Sequence, residues 1–327
     1  MKTNYQAELL FNRLTNRFRH LKKWARRTGT NAFRLYDRDI PEIPLVLDLY
    51  DDAVSGALYK SPAGSGPGEE NDSEENAWLL AMKASAAKAL NIPESHIFIK
   101  ERQRFSRRQD SGDQYNRVAR QNFYRDVKEG DMGFRVNLSD YLDTGLFLDA
   151  RKKRALLRGE AEGKRVLNLF AYTCSLSAAA AKGGARQVDS VDLSNTYLDW
   201  GKINFALNKL PAAEKFSFIQ SDVMQFIAQA AQNRSRWNII ILDPPSFSNS
   251  KRTAAAFDVK RDHRQLIQRC LPLLSPGGTL MFSSNAKGFT IDEKDFPGFI
   301  VKDIGKELVD EDFRGKRIPV CYALRKA

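Results

Sequence analysis

The sequence is short of the residues that bind metals and build disulfides. Three cysteines (Cys174, Cys270 and Cys321) and three histidines occur in 327 residues. The cysteines are odd in number and widely spaced. They match no metal-ligand pattern and no disulfide framework, so they read as reduced thiols and no metal is expected. Long apolar runs are missing too. No stretch of about 18 apolar residues occurs, which excludes a membrane-spanning helix. The opening residues, MKTNYQAELLFNRL, lack an apolar signal core. A soluble, cytoplasmic protein is therefore expected.

Acidic residues are the other shortage. Asp and Glu number 40 against 52 Lys and Arg, a net charge of +12. The excess is concentrated. Residues 1–39 hold ten basic residues and three acids, and residues 100–128 hold nine and four. Together these segments account for the whole net charge, which favours a polyanionic partner.

Hydrophobic residues make up 42% of the chain, enough for a packed core. Residues 4–27 are expected to form an amphipathic helix. Leu10, Leu14, Phe18 and Leu21 recur at helical spacing with Trp24 nearby, and basic residues fill the other face. Strands are expected at 45–50 and 53–59 with Asp51-Asp52 as their turn. Residues 61–76 read as an acidic, flexible loop, 77–90 as a helix, and 96–100 and 131–138 as strands. The result is a small α+β domain. Its loop from Glu101 to Arg125 mixes arginine with Phe105, Tyr115, Phe123 and Tyr124, a composition suited to single-stranded RNA.

From about residue 164 strands and helices alternate. Strands are expected at 165–169, 188–192, 216–220, 238–242 and 279–284, and helices at about 175–182, 195–207, 223–232 and 258–274. Such alternation implies a doubly wound, mostly parallel sheet. Ligands then bind beyond the carboxyl ends of the strands. The first strand end reads Phe170-Ala-Tyr-Thr-Cys-Ser, not GxGxxG, so the dinucleotide fingerprint of a dehydrogenase is absent. Asp192 and Asp222 end the next two strands. Either acid alone is compatible with a helix N-cap; on successive strand ends they suggest an adenosyl cofactor. After the apolar NIIIL strand comes Asp243-Pro244-Pro245-Ser246-Phe247. Its prolines stiffen the loop, which can hold a planar base against a reactive methyl group. His263 reads as an ordinary surface or core histidine.

These residues carry a resemblance. The chain resembles the class I S-adenosylmethionine methyltransferases, which have a Rossmann-like sheet. More narrowly, it is similar to the guanine-N7 (K) half of the bifunctional 23S ribosomal RNA methyltransferase K/L family. The likeness runs through KKWARR (22–27), FRLYDRDIPE (33–42), LSDYLDTGLFLDARK (138–152), VLNLFAYT (166–173), VDLSNTYLDW (191–200), LDPPSFSNSKR (242–252), FDVKRDH (257–263) and GGTLMFSSN (277–285). It implies an S-adenosylmethionine-binding domain over 141–327, preceded by an RNA-binding domain over 1–140. Phe147, Asp149 and Arg151 would border the methionine end of the cofactor. Asn168, Phe170, Ala171, Tyr172 and Thr173 would form its first loop. Asp192, Leu193 and Ser194 would hold ribose and adenine, and Asp222 and Val223 the adenine edge. Asp243, Pro244 and Pro245 would sit by the transferable methyl, with Phe247 stacking on the target base. Arg17, Lys22, Lys23, Arg26, Arg27, Arg104, Arg107 and Arg108 would meet RNA.

The implied partners are 23S rRNA or the pre-ribosomal large subunit, with a separate guanine-N2 methyltransferase as a companion. One departure stands out. The family pattern has glycine where this chain has Cys174. Cysteine does not take positive φ freely. Either the loop stays in ordinary backbone space, or cofactor affinity is altered. Pyrimidine carbon-5 methylation needs a cysteine nucleophile, and none follows Asp243 or stands at Ser283-Ser284-Asn285. Guanine N7 needs none. The alternatives are a cytosine-C5 enzyme, an assembly factor with a vestigial cofactor pocket, and methylation of a protein or small molecule.

Overall fold

The structure is a computed structural model and describes residues 2–59, 69–102, 119–211, 214–248, 256–316 and 318–327. The chain divides into two compact units, Met1–Asp131 with Val136–Thr144 and Met132–Arg135 with Gly145–Ala327.

In the first unit, α1 (Lys2–Thr28) precedes β1 (Ala32–Asp37), β2 (Leu45–Tyr50), β3 (Ala53–Tyr59), α2 (Glu69–Leu90) and β4 (Ile97–Arg102). These strands form one sheet in the order β1-β2-β3-β4. The first two pairings are antiparallel and β3 runs parallel to β4, since a helical crossover joins them. Leu10, Leu14, Leu21 and Trp24 of α1 pack with Met82 and Ala86 of α2 and with Phe33, Leu47, Val54 and Ile97 of the sheet. Gln6 bridges the two helices; its Oε1 accepts from the Trp78 indole at 2.7 Å.

The expected loop over 61–76 is corrected in part. Helix α2 already runs from Glu69, since the stretch from Glu69 to Asn76 holds no proline or glycine to break it. Strand β1 has no counterpart among the expected strands. Neither has β5 (Tyr124–Glu129), which replaces the end of the expected Arg-rich loop and forms a ribbon with β6 (Met132–Asn137).

The second unit is built on a seven-stranded sheet. Its elements are α3 (Arg151–Glu160), β7 (Arg165–Leu169), α4 (Ser175–Lys182), β8 (Gln187–Asp192), α5 (Asn195–Leu207), β9 (Phe216–Gln220), α6 (Val223–Gln232) and β10 (Trp237–Leu242). After these come the short strands β11 (Phe247–Ser248) and β12 (Phe257–Asp258), then α7 (Val259–Cys270), β13 (Leu274–Ser284), β14 (Phe299–Asp303) and β15 (Val320–Lys326). The strand order is β14-β15-β13-β10-β7-β8-β9. Five of these neighbours, β13, β10, β7, β8 and β9, run parallel. Strand β15 is antiparallel to both β13 and β14, which closes one edge. The order reverses between β7 and β10, the switch point where such sheets bind ligands. Leu167, Val191, Ile240, Leu280 and Phe282 lie in the core beneath it. The helix expected to reach 274 stops at Cys270 and tightens to a 3-10 turn over Leu271–Leu273, since Pro272 cannot donate into the α-helical ladder.

One stripe of α5 acts like a strand edge. The Trp200 indole donates to the Arg135 carbonyl at 2.9 Å. Asn204 Oδ1 accepts from the Arg135 amide at 2.9 Å, and Asn208 bonds both backbone groups of Gly133. These residues are four apart, so they share one helix face.

Candidate active site

The loop after β7 is wound tightly. Phe170, Tyr172 and Cys174 have φ of 59°, 50° and 57°, left-handed values that cost a non-glycine residue about 1–2 kcal/mol each. Of the two alternatives for Cys174, ordinary backbone space is therefore excluded: Cys174 takes the glycine conformation. Room for its side chain comes from Gly201 on α5. A Cβ built at Gly201 would lie 2.5 Å from Cys174 Sγ and 2.8 Å from its Cβ. Burial pushes the Cys174 thiol pKa well up, so this sulfur is a packing group.

The loop is pinned from three sides. The Ala171 amide donates to the Val191 carbonyl at 3.0 Å. The Thr173 hydroxyl donates to the Gly145 carbonyl at 2.6 Å. Asn204 Nδ2 donates to the Thr173 carbonyl at 2.8 Å. Asn204 thus joins this loop to β6, a connection with no signal in the sequence.

Asp192 ends β8. One oxygen accepts the Tyr172 amide at 2.8 Å and the other the Ser194 amide at 2.9 Å. A carboxylate has about four lone-pair sites, so each oxygen keeps acceptor capacity for a pair of hydroxyls. Burial raises the Asp192 pKa above the usual aspartate value, while the amides of Ser194, Tyr172 and Leu193 pull it down. Leu193 offers its carbonyl to Gln220 at 3.3 Å. Asp222 is the N-cap of α6 and accepts from the Gln225 amide at 3.0 Å; Val223 behind it is buried. Asn168 is buried and donates to Ser177 at 2.9 Å. Its Oδ1 has no hydrogen-bond partner among the described residues. Such an orphaned acceptor fits a site that completes itself with a ligand.

Asp243, at the end of β10, carries the least expected contact. Lys153 of α3 lies 2.6 Å from Asp243 Oδ2 and donates to Ser283 Oγ of β13 at 2.8 Å. The Lys153 side chain is only 8% exposed, against 35% for Asp243. Burial alone would lower the lysine pKa, but the Asp243 carboxylate, Cys321 and Asp149 outweigh it and hold it above the ordinary value. Pro244 is buried, and Pro245 and Phe247 are half-buried. Phe247 is fixed opposite Asp258 in the β11–β12 ribbon.

Other expected residues have structural duties. Arg151 forms a buried pairing with Asp312 at 2.9 and 3.2 Å and with Asp310 at 3.0 Å. Arg154 is buried and donates to the Phe147 carbonyl. Phe147 is half exposed, with its ring 5.4 Å from that of Tyr172. Asp149 is half-buried in a 3-10 turn. His263 bonds the Val259 carbonyl and packs edge-on against Phe289.

In the first unit, Lys22, Lys23, Arg26 and Arg27 are exposed along α1 and Arg17 is half-exposed. Arg104, Arg107 and Arg108, with Phe105 and Tyr115, lie outside the described residues. The expectation that Phe123 offers a stacking face is corrected. Its ring packs on Phe98 and His96, and the Arg125 guanidinium covers it at 4.1 Å.

A parallel sheet with acids at successive strand ends, a glycine-like first loop and Asp-Pro-Pro at the fourth end defines a methyltransferase of the Rossmann-like class. The chain belongs to the S-adenosylmethionine-dependent methyltransferase family, which it matches over residues 80–313. It is 43% identical over 98% of its length to the ribosomal RNA large subunit methyltransferase K/L of Pseudomonas putida F1. The homologue of Pseudomonas syringae pv. syringae B728a is 44% identical over 94% of the chain. The chain spans 42% and 39% of the lengths of these relatives. Among solved structures it is similar to SMU.776, described as a methyltransferase complexed with SAH. The TM-score is 0.74 at 25% identity, over 98% of this chain and 81% of that one. No described helix is long and apolar enough to cross a membrane.

Proposed function

We propose that this chain methylates N7 of a guanine in 23S rRNA of the large ribosomal subunit, in the bacterial cytoplasm. The observation that carries the reading is the Asp243-Pro244-Pro245 strand end, on the same parallel sheet as an Asp192 carboxylate with open acceptor sites and with all three thiols buried. The names of the K/L relatives support the rRNA substrate, and the exposed cations of α1 support RNA as the partner.

When bound, S-adenosylmethionine supplies an electrophilic methyl group. The residues here fit it. Asp192 would accept its ribose hydroxyls, Asp222 and Val223 would border the adenine, and Asn168 with the 170–173 loop would line the remainder. Phe147 and Asp149 would border its methionine end, whereas Arg151 would act there through its pairing with Asp312. Guanine N7 has an in-plane lone pair, so no side chain need remove a proton before attack. Alignment is then the main contribution. Asp243 and the two prolines would sit by the transferable methyl, and Phe247 would stack on the base. Residues 1–140 would act as the RNA-binding domain, with Arg17, Lys22, Lys23, Arg26 and Arg27 facing phosphates. The companion guanine-N2 activity would reside on a separate partner.

The cytosine-C5 alternative requires a thiolate. All three cysteines are buried, and burial pushes each thiol pKa up. Incubation with methyl-labelled cofactor and unmodified large-subunit rRNA tests the proposal, with label expected in the RNA. RNA binding without cofactor binding or label would favour the assembly-factor reading instead.

A further inference from the structure

Lys153 is a charged group with no assigned duty, and its burial needs a reason. Removing an ammonium from water is strongly unfavourable unless partners compensate. Here the partners are two, Asp243 at the end of β10 and Ser283 at the end of β13. These strands are neighbours, with Leu242 opposite Phe282. The ammonium is thus tied to both strand ends beside the proposed reaction centre. It takes Asp243 Oδ2 and leaves Oδ1 with no hydrogen-bond partner among the described residues. The carboxylate keeps a second acceptor oxygen and is partly exposed, but the pair has no net charge.

We infer that Lys153 is a positioning residue for methyl transfer, which locks the Asp243 carboxylate in one orientation and cancels its charge, so that Asp243 serves the site as a directed hydrogen-bond acceptor and not as a counter-ion to the sulfonium. The charge matters because the methyl donor is cationic at sulfur and the demethylated product is neutral. An uncancelled carboxylate beside the methyl would favour the donor before reaction and hold it in its ground state. A neutral pair does not. The inference rests on the placing of Asp243 by the transferable methyl. It does not depend on which RNA, or which atom of it, is the acceptor.

The test is the ratio of affinities for S-adenosylhomocysteine and S-adenosylmethionine, measured by calorimetry on the full chain at neutral pH and low salt. Lys153→Met should shift the ratio toward the methyl donor by roughly threefold to fivefold, the size of a partly screened charge pair. Adding Asp243→Asn to that variant should return the ratio to the wild-type value. Lys153→Gln keeps a hydrogen bond to Asp243 but not the charge; it should give the same shift, and it serves where the methionine variant does not fold. An unchanged ratio, or equal weakening of both ligands, would assign Lys153 a purely structural role and overturn the inference. If label fails to enter rRNA while the ratio still shifts, the substrate reading falls and this one stands.

Discussion

Two basic runs of nearly the same composition meet opposite fates. Lys22-Lys23-Trp24-Ala25-Arg26-Arg27 on α1 keeps its four cations exposed and buries the tryptophan and alanine between them. Arg151-Lys152-Lys153-Arg154 at the start of α3 buries three of its four cations. The difference is the supply of acceptors. The second run meets Asp310, Asp312, Asp243, Ser283 and the Phe147 carbonyl. No acid pairs with Lys22, Lys23, Arg26 or Arg27 among the described residues. A cluster of like charge is therefore no guide to burial. Where the fold brings carboxylates, the cluster becomes internal framework; where it brings none, the charge remains for a partner.

The contrast between the two runs can be broken at several points. The largest effect is expected at Arg151. Replacing it with Ala removes the buried cation that Asp310 and Asp312 share and should cost about 3–5 kcal/mol in urea unfolding. Arg26→Ala should stay within about 0.5 kcal/mol of wild type. Equal losses would erase the distinction between the runs. Next comes the joint change of Lys22, Lys23, Arg26 and Arg27 to Ala. RNA affinity should fall roughly tenfold or more, and the salt dependence should flatten by about 0.7 in slope for each phosphate no longer neutralised. Thermal stability should not move. A weaker affinity with an unaltered salt slope would show that these cations do not meet phosphates.

A third change concerns the two halves of one packing device. Gly201→Ala should cost about 1–3 kcal/mol, because its Cβ meets the Cys174 sulfur. In a Cys174→Gly background the same change should be nearly free. Additive losses in this double-mutant cycle would mean that Gly201 does not make room for Cys174.

The smallest effect is a pH dependence. Burial holds the Asp192 pKa above that of an ordinary aspartate, about 3.9. As pH falls through the raised value the carboxylate takes up a proton and loses its charge as an acceptor. Cofactor affinity should decline there and recover toward neutral pH. In the ligand-free fold the sign reverses: stability is greatest below about 3.9 and is lost as pH rises through the raised value. Titrating affinity in Asp192→Asn should give a flat profile; a slope equal to wild type would place the titrating group elsewhere.

Much of the fold is legible in the residue pattern. The helical spacing of Leu10, Leu14 and Leu21 places the buried face of α1, and short apolar runs place the five parallel strands. The strand-end acids follow, because the doubly wound pattern says where to look. What escapes reading has a common cause. Lys153 and Asn204 matter through partners 90 and 31 residues away, and no local period reports such a pairing. Strand β1 is hidden because four of its first five residues are buried in a sequence, Ala-Phe-Arg-Leu-Tyr, with no polar alternation. Cys174 misleads for a different reason. Its side chain finds room only at a glycine on another helix, a compensation invisible from the loop alone.

The most direct measurement is the identity of the methylated atom. Large-subunit rRNA modified by the protein is digested to nucleosides, and the labelled nucleoside is identified by mass and fragmentation. N7-methylguanosine is the predicted product; a methyl group on a pyrimidine carbon would contradict the proposed function.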